Sequence, residues 1–307
     1  MIDSHVHLWN LDTSVTGGQR QYSWLGPQHG ALFRSFGAHE AQETLEAAGV
    51  RGAVLVQADD SVADTESMLA VARDNPWVLG VVGWVRLDSP AVAAEQLDRF
   101  AAQEAFRGVR HLIHDDPRSD FLDLAAVRES LGLLARRGLA FDVADAFPRH
   151  LDSAARLARD LPELTVVLDH LGKPPVADAA AMDLWLNGFR AFAGEPNTVA
   201  KLSGLHLAGA DYTAQALRPL FDQALDCFGA ERLMLGVDWP VSTLGAPYGR
   251  TLDVLLELVS TLSPAEQDAV LEETAIRTYG LAVTPVTPVT PVTPVTPVTP
   301  VPPGAGV

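Results

Sequence analysis

Short runs of apolar, β-branched residues recur along the chain, each followed by a stretch whose apolar residues repeat at helical spacing. A short apolar run bounded by turn residues is typical of a buried strand, whereas apolar residues three and four positions apart indicate a helix. The sequence therefore predicts eight strands, at 2–8, 52–58, 78–85, 106–112, 139–145, 165–171, 198–204 and 232–239. Predicted helices occupy intervening segments, among them 62–75, 89–104, 121–137, 148–161 and 211–228.

The strict alternation of strand and helix predicts a parallel sheet, because successive parallel strands need a long crossover connection. Eight such repeats predict an α/β fold of the (β/α)8 TIM-barrel type, as a single domain over residues 1–281. An open doubly wound sheet is the alternative, but no glycine-rich dinucleotide fingerprint follows the first predicted strand.

The C-terminal residues have a different composition from the rest of the chain. From Val283 the tripeptide VTP occurs six times and is followed by VPPGAGV. Proline at every third position is incompatible with a helix or a central strand, so we expect residues 282–307 to form an extended or disordered low-complexity tail. We assign this tail no chemistry.

Composition limits the partners that the chain can have. Its 307 residues, 48% of them hydrophobic, are enough for a large core. The net charge of −17 disfavours nucleic acid and anionic membranes, because both need Lys and Arg against their phosphates. Cys227 is the single cysteine, which excludes an intrachain disulfide. Without a membrane-length or signal-like apolar run, we expect a soluble, cytoplasmic protein, and the sequence carries no prediction of oligomeric state.

The first predicted strand contains two histidines one residue apart, His5 and His7, in MIDSHVHLWN. Successive side chains of a strand point to opposite faces, so His5 and His7 are expected on one face, with Asp3 on the same side. This pattern favours a metal-chelating pair or two imidazoles that contact one ligand. Because an isolated His-x-His is common, its interpretation depends on partners from other strands.

Two further polar residues lie at predicted strand ends. His170 closes the sixth strand in VVLDHLGKP, and Asp238 closes the eighth in LGVDWP. Barrel enzymes carry catalytic groups at the C-terminal ends of strands, so we expect both on one rim with His5 and His7. This donor set suits Zn²⁺ or a similar divalent ion with one position open for water. Asp238 is alternatively a general base, and taken singly His170 could be a packed residue and Asp238 a turn cap.

The same rim is predicted to carry substrate-binding side chains. Arg110 and His111 end the fourth strand, and since they are adjacent only one can point inward; we favour Arg110 as the substrate contact. His114 follows in the next loop. Further candidates near strand ends are Gln57, Trp84, Lys173, Lys201 and Ser203. Taken singly, each of these five residues is more simply explained by a structural role than by substrate binding. Trp84 would be a core aromatic residue, and the two lysines would be solvated charges on the rim.

A long connection at residues 9–37 follows the first predicted strand and contains Trp9, Trp24, His29 and Phe33. Long loops at the C-terminal face of a barrel often build the active site or its lid. The same residues would equally suit a surface loop that packs a few aromatic side chains, and both interpretations stay open.

Seven strings occur in order along the chain: IDSHVHLW, VLVQA, GVVGWV, GVRHLIHDDP, VLDHLGKP, KLSGL and LMLGVDWPV. Together they resemble the amidohydrolase superfamily, specifically its branch of sugar-lactone hydrolases such as L-fuconolactonase and L-rhamnonolactonase, with pyrone dicarboxylate lactonase as a more distant relative. The similarity runs from Ile2 to about Leu281. One departure is Val237, where the family more usually has a serine before Asp-Trp-Pro.

The resemblance implies a distorted (β/α)8 barrel with four residues at the metal-site positions, namely His5, His7, His170 and Asp238. The branch is mixed in its use of metal. The carboxylated lysine or bridging glutamate of binuclear relatives has no clear counterpart, since the corresponding strands offer Asp142 or Arg110 instead. We therefore expect at most one divalent ion, with zinc favoured and metal-free catalysis as the alternative.

The resemblance also implies an activity, the hydrolysis of a sugar-acid lactone to the open-chain acid. In this hypothesis Asp238 takes a proton from water, and the metal, His170 or Arg110 polarises the lactone carbonyl. Three aromatic side chains are expected against the apolar face of the sugar, those of Trp9, Trp24 and Trp84. The alternatives are a metal-dependent decarboxylase of an aromatic or unsaturated acid on the same scaffold, and a barrel that binds carbohydrate without turnover.

Overall fold

The structure, a computed structural model, describes residues 1–12, 15–16, 19–205 and 211–283. The tail predicted to be extended lies outside the described residues from position 284 onward. Within the described residues, no helix has the length and apolar character that crossing a membrane requires.

Eight parallel strands form one sheet in which each strand pairs with the next barrel strand along the chain, which confirms the predicted (β/α)8 barrel. The barrel strands are β1 Ile2–Val6, β4 Gly52–Val56, β5 Val78–Gly83, β6 Phe106–His111, β7 Ala140–Val143, β8 Val166–Leu168, β9 Thr198–Leu202 and β10 Leu233–Leu235. The first loop adds a short antiparallel hairpin, β2 Val15–Thr16 and β3 Gln19–Arg20. Val6 pairs with Trp239, and the His7 N–H donates to the Trp239 carbonyl at 2.7 Å, so the barrel is nearly closed.

The outer layer consists of helices between the strands: α1 Ala38–Ala47, α2 Val62–Asp74, α3 Pro90–Phe100, α4 Ala125–Arg136, α5 Leu151–Asp160, α6 Ala179–Ala193, α7 Ala214–Phe228 and α8 Tyr248–Val259. Each buries one apolar face; in α7 this face is Leu217, Leu220, Phe221, Ala224 and Phe228. Three of these helices, α2, α6 and α7, begin at capping residues, because Ser61, Asp178 and Thr213 accept hydrogen bonds from backbone N–H groups of the first turn. The chain then forms α9 Pro264–Asp268, a π-helical turn Ala269–Glu273, and α10 Thr274–Tyr279.

The barrel interior has an apolar layer and a polar layer. The apolar layer contains Ile2, Val54, Val82, Val167, Val199 and Met234, together with Ala275, Tyr279 and Leu281 from the C-terminal segment. The polar layer lies two residues further along several strands, on the same inward face, at Asp142, Asp169 and Lys201. The C-terminal ends of the strands therefore present polar side chains above an apolar base.

A β-bulge in β1, between Asp3 and Val6, changes which face Asp3 occupies. The extra residue offsets the alternation of side chains, so Asp3 does not lie beside the two histidines, and that expectation was wrong. Its carboxylate instead accepts hydrogen bonds from the backbone N–H groups of His5 (3.0 Å) and Val237 (2.9 Å) and from the Tyr248 hydroxyl (3.0 Å). Asp3 thus joins β1 to α8 and to the segment after β10.

Candidate active site

The four residues predicted as metal ligands meet at the C-terminal rim of the barrel. Nε2 of His5 lies 3.1 Å from Nε2 of His7, and Oδ1 of Asp238 lies 3.8 and 3.4 Å from these two nitrogens. The ring of His170 lies 4.6 Å from that of His5, centroid to centroid. Ligand atoms about 3.3 Å apart are expected around a tetrahedral zinc ion with bonds of about 2.0–2.1 Å, so this spacing fits one cation.

The position of His170 depends on an unusual backbone turn. Strand β8 ends at Leu168, earlier than predicted, and His170 and Leu171 both have positive φ angles, of 56° and 52°. Such angles are costly for residues other than glycine and are retained where the surrounding structure fixes them. Here Ser203 fixes the ring, because its Oγ lies 2.8 Å from Nδ1 of His170.

A hydrogen bond of His7 indicates which of its ring nitrogens carries the proton. Nδ1 of His7 lies 2.8 Å from the carbonyl oxygen of Val56, which can only accept a hydrogen bond. We therefore place the proton of a neutral His7 on Nδ1, which leaves the Nε2 lone pair free to bind a cation or a water proton.

Burial and neighbouring charges shift the titration of this cluster. Burial would raise the pKa of Asp238, but the electrostatic effect of the surrounding imidazoles, that of His170 foremost, outweighs it, so the pKa lies well below its ordinary value. Burial also lowers the pKa of His5 well below its ordinary value, against the opposing charge of Asp169. At neutral pH the site therefore contains an ionised Asp238 and a neutral His5, the forms that bind a metal.

A layer of buried charges lies under the histidines. Nζ of Lys201 lies 2.6 Å from Oδ2 of Asp142, 3.1 Å from Oδ1 of Asp169 and 3.2 Å from Nδ1 of His5. Nε of Arg110 donates to Oδ2 of Asp169 at 2.7 Å. Lys201 is completely buried, so its interpretation as a solvated rim charge was wrong. The reason is that two carboxylates, Asp142 on β7 and Asp169 directly after β8, offset the cost of burying its charge.

The pKa values of Asp142 and Asp169 in this layer are shifted in opposite directions. Burial raises the pKa of Asp142 to about 6, although Lys201 acts in the opposite direction. Burial would raise the pKa of Asp169, but the charges of Lys201 and Arg110 and the contact with His5 outweigh it, so the pKa lies well below its ordinary value. The Tyr279 hydroxyl, from α10, donates to Oδ2 of Asp142 at 2.8 Å and so links the C-terminal segment to the charged layer.

A cavity of about 750 Å³ opens above the cluster. His7, His170 and Asp238 line its floor together with Arg110. The long first loop also lines this cavity through Trp9, Ser23, Trp24, His29 and Leu32, which is the arrangement expected if the loop builds the site. Trp24 is fixed by a hydrogen bond from its Nε1 to the carbonyl of Ala58, at 2.7 Å.

The predicted substrate-binding residues divide into two groups. Those that line the cavity are Trp9, Trp24, Arg110, His114 and Lys173. The other four are packed behind it: Gln57, Trp84, His111 and Ser203. Arg110 and His111 separate as adjacent strand residues should, since His111 stacks on Phe121 with ring centroids 4.2 Å apart and its Nδ1 accepts from Nε1 of Trp84 at 3.0 Å.

Sequence reasoning missed two cavity carboxylates, Asp115 and Asp145. Asp145 closes the predicted strand 139–145, so the strand-end rule that selected Asp238 would also have selected it. Asp145 has a positive φ of 40° and forms an ion pair with Lys173. Burial would raise its pKa, but the charges of His170, Lys173 and His114 keep the pKa below its ordinary value.

The chain is similar along most of its length to proteins of one family. The amidohydrolase family profile matches residues 2–281. The L-fucono-1,5-lactonase of Burkholderia ambifaria is 34% identical over 249 residues, which cover 81% of this chain and 83% of that protein. The L-fucono-1,5-lactonase of Burkholderia multivorans is 33% identical over 294 residues, 91% of this chain and 96% of that one. A crystal structure of a Burkholderia multivorans amidohydrolase with bound zinc has a TM-score of 0.80 at 30% identity, covering 92% of this chain and 99% of that chain.

Proposed function

The chain belongs to the amidohydrolase family, and from this premise we propose that it hydrolyses the lactone of a sugar acid to the open-chain acid. The observation that carries the proposal is that His7, His170 and Asp238 line the floor of a cavity large enough for a sugar ring, with His5 buried directly beside them. Two relatives, 33% and 34% identical and named L-fucono-1,5-lactonase, support this reaction class.

We infer that one divalent cation, with zinc favoured, binds to His5, His7 and Asp238, whose ligand atoms lie within 4.8 Å of one another. A bound cation of this kind lowers the pKa of water and polarises a carbonyl. A second group with suitable spacing is His5, Asp169 and His170, and two of its members already contact a cationic side chain of the chain itself. The ammonium of Lys201 lies within 3.2 Å of both His5 and Asp169 there, which supports a single metal ion.

The chain's own residues then move one proton. The ionised carboxylate of Asp238 accepts a proton from water as the water oxygen bonds to the lactone carbonyl carbon. Collapse of the tetrahedral intermediate breaks the bond between this carbon and the ring oxygen, and Asp238 returns its proton to that oxygen. Because the pKa of Asp238 is low, it is a weak base, so the water it deprotonates must be acidified within the site.

Arg110 is in position to stabilise the negative charge that develops on the carbonyl oxygen. Its Nε donates to Asp169 and its Nη1 to the carbonyl of Gln57 at 3.0 Å, which fixes the guanidinium beside the cavity. A guanidinium has further N–H groups, and those that face the cavity donate to the oxyanion in this proposal. His170, held by Ser203, lies on the same floor and adds a second polar contact.

The charges of the cavity favour a neutral lactone over one that carries carboxylates. Among the described residues, the Lys and Arg side chains that line the cavity are Arg110 and Lys173, and each already binds an aspartate. Besides Asp238, the acids that line the cavity are Asp115 and Asp145, whose carboxylate oxygens can accept hydrogen bonds from sugar hydroxyl groups. A carboxylated substrate would meet these acids, while Arg110 and Lys173 are already paired with aspartates.

The experiment that tests the proposal assays purified protein with two sets of lactones in weakly buffered solution with a pH indicator. We expect acid release from neutral aldonolactones, with kcat/KM at least 100-fold above that for a dicarboxylated pyrone. Turnover confined to the carboxylated lactone, or carbon dioxide release from a hydroxybenzoate without any lactonase activity, would overturn the proposal.

A further inference from the structure

Two residues that line the cavity but take no part in the proposed proton transfer form an ion pair, Asp145 and Lys173. Their side chains are 14% and 39% exposed, so a ligand in the cavity can reach them. Nζ of Lys173 donates to Oδ2 of Asp145, and within the part of the chain that the structure describes Oδ1 accepts no hydrogen bond. Because an ammonium has three N–H groups, the pair still offers one acceptor and two donors.

The backbone at both residues has a conformation that L-amino acids avoid. The four residues from His170 to Lys173 form a left-handed turn with φ angles of 56°, 52°, 71° and 62°, and Asp145 has a φ of 40°. Three of the four turn residues are not glycine, and such positions are costly. Strain of this kind persists where the surrounding structure fixes it, and it is concentrated at functional sites.

Hydrogen bonds fix this turn relative to the segment that carries Asp145. Nε1 of Trp185, on α6, donates to the carbonyl of Leu171 at 2.9 Å. The N–H of Phe147, two residues after Asp145, donates to the carbonyl of Gly172 at 3.0 Å. The carboxylate and the ammonium are therefore positioned by the main chain before a ligand binds, which reduces the entropy lost on binding.

The chemistry of the ion pair indicates what it binds. Because its charges offset each other, the pair suits a neutral polar group better than a carboxylate or an amine. A carboxylate oxygen accepts a hydrogen bond from one hydroxyl group, while the adjacent ammonium donates to the oxygen of the next. The turn also begins at His170 on the cavity floor and ends at Lys173, so the pair lies at a fixed separation from the proposed reaction centre.

We propose that Asp145 and Lys173 bind two neighbouring hydroxyl groups of the sugar ring, and we call this pair the hydroxyl subsite. It selects polyhydroxylated lactones over unsubstituted ones and orients the ring so that its carbonyl lies at the cavity floor. The inference rests on the proposed function, since it names the part of the substrate that the same cavity recognises. Hydrogen bonds to charged groups are stronger than those between neutral groups, so the subsite should contribute measurably to selectivity.

The first test compares kcat/KM for an aldono-1,5-lactone and for δ-valerolactone, which has the same ring without hydroxyl groups. We expect Asp145→Asn and Lys173→Met each to lower kcat/KM for the aldonolactone about 10–100-fold, mainly by raising KM, as is usual for a lost hydrogen bond to a charged group. Values for δ-valerolactone should stay within about twofold of the wild type. The control Asp98→Asn breaks an ion pair with Arg137 away from the cavity and should change neither lactone. Equal losses on both lactones, or no loss on either, would overturn the hydroxyl subsite.

The second test needs no turnover. A 1,5-anhydrohexitol has the hydroxylated ring without a carbonyl, and calorimetry gives its Kd for the same four proteins over several ring configurations. We expect at least one configuration to bind wild type and Asp98→Asn alike and the two cavity variants about 10–100-fold more weakly. This result in a protein that hydrolyses no lactone would support the hydroxyl subsite and overturn the proposed reaction. Lactone hydrolysis combined with equal binding, or none, by all four proteins would overturn the hydroxyl subsite alone.

Discussion

At the residue scale, the position of His170 depends on the absence of a side chain at Gly204. Gly204 has a φ of +60°, and a Cβ added there would lie 2.4 Å from Nδ1 of the His170 ring. Residues other than glycine rarely adopt this backbone conformation, and here the space is also taken. The glycine in KLSGL therefore allows the imidazole to pack directly against the main chain.

We predict that Gly204→Ala displaces His170 and lowers kcat on a sugar lactone about 100-fold, because small displacements at a reacting centre have effects of this size. Gly138→Ala is the matched control, since Gly138 has a φ of +65° with open space around its Cβ position. Both variants should lose about 1–2 kcal/mol of unfolding free energy from the positive φ, measured by urea denaturation. A Gly204→Ala enzyme as active as Gly138→Ala would contradict the role of His170.

At the scale of elements, the loop at 9–37 is tied to α2 through a buried carboxylate. Asp64, in the first turn of α2, accepts a hydrogen bond from the Tyr22 hydroxyl at 2.8 Å and another from the Ala58 N–H at 2.9 Å. The Ala58 carbonyl in turn accepts from Trp24. These contacts hold the loop's aromatic residues at the cavity wall.

This carboxylate makes stability depend on pH. Burial raises the pKa of Asp64 to about 7, whereas in the unfolded chain it is about 3.9. The folded state therefore binds a proton that the unfolded state does not, so unfolding free energy falls as pH rises from about 4 to about 7. We predict that Asp64→Asn removes this pH-dependent part of the unfolding free energy. Its size is about 1.4 kcal/mol for each unit by which the folded and unfolded pKa values differ. Urea unfolding measured at several pH values across that window tests this.

The control for the pH prediction lies on the same helix. Asp74→Asn changes an exposed residue at the C-terminal end of α2, and the unfolding free energy of this variant should depend on pH as that of the wild type does. If Asp64→Asn and Asp74→Asn lose stability in parallel between about pH 4 and 7, the pKa shift assigned to Asp64 is wrong.

At the scale of the whole molecule, local periodicity was sufficient to predict the barrel and much of its rim. Strand–helix alternation predicted all eight barrel strands, and strand parity placed Arg110 rather than His111 at the cavity. The features missed depend on other parts of the chain. The bulge at Asp3 appears only in the pairing of β1 with β4, and the burial of Lys201 depends on Asp142 and Asp169, which are distant in the sequence. Neither the bulge nor the burial of Lys201 can be read from the residues next to Asp3 or Lys201 in the sequence.

Metal removal tests the proposed cation in the intact protein. We predict that exhaustive chelation lowers kcat on a neutral aldonolactone at least about 100-fold, because charge stabilisation by a metal is worth several kcal/mol. Zinc should restore the activity, and elemental analysis should find one ion per chain. Full turnover by protein shown to be free of metal would favour the metal-free alternative.

The most direct test of the central claim is the kcat of Asp238→Asn on the best neutral aldonolactone, measured by pH-stat beside the wild type. We predict that kcat falls about 10²–10⁴-fold, the usual contribution of a general base. The thermal unfolding temperature should stay close to that of the wild type, which would show that the barrel is folded. Asp183→Asn, an exposed change on α6, is the control and should keep wild-type turnover. An Asp238→Asn protein that hydrolyses the lactone at the wild-type rate would contradict the assignment of the reactive water to this cluster.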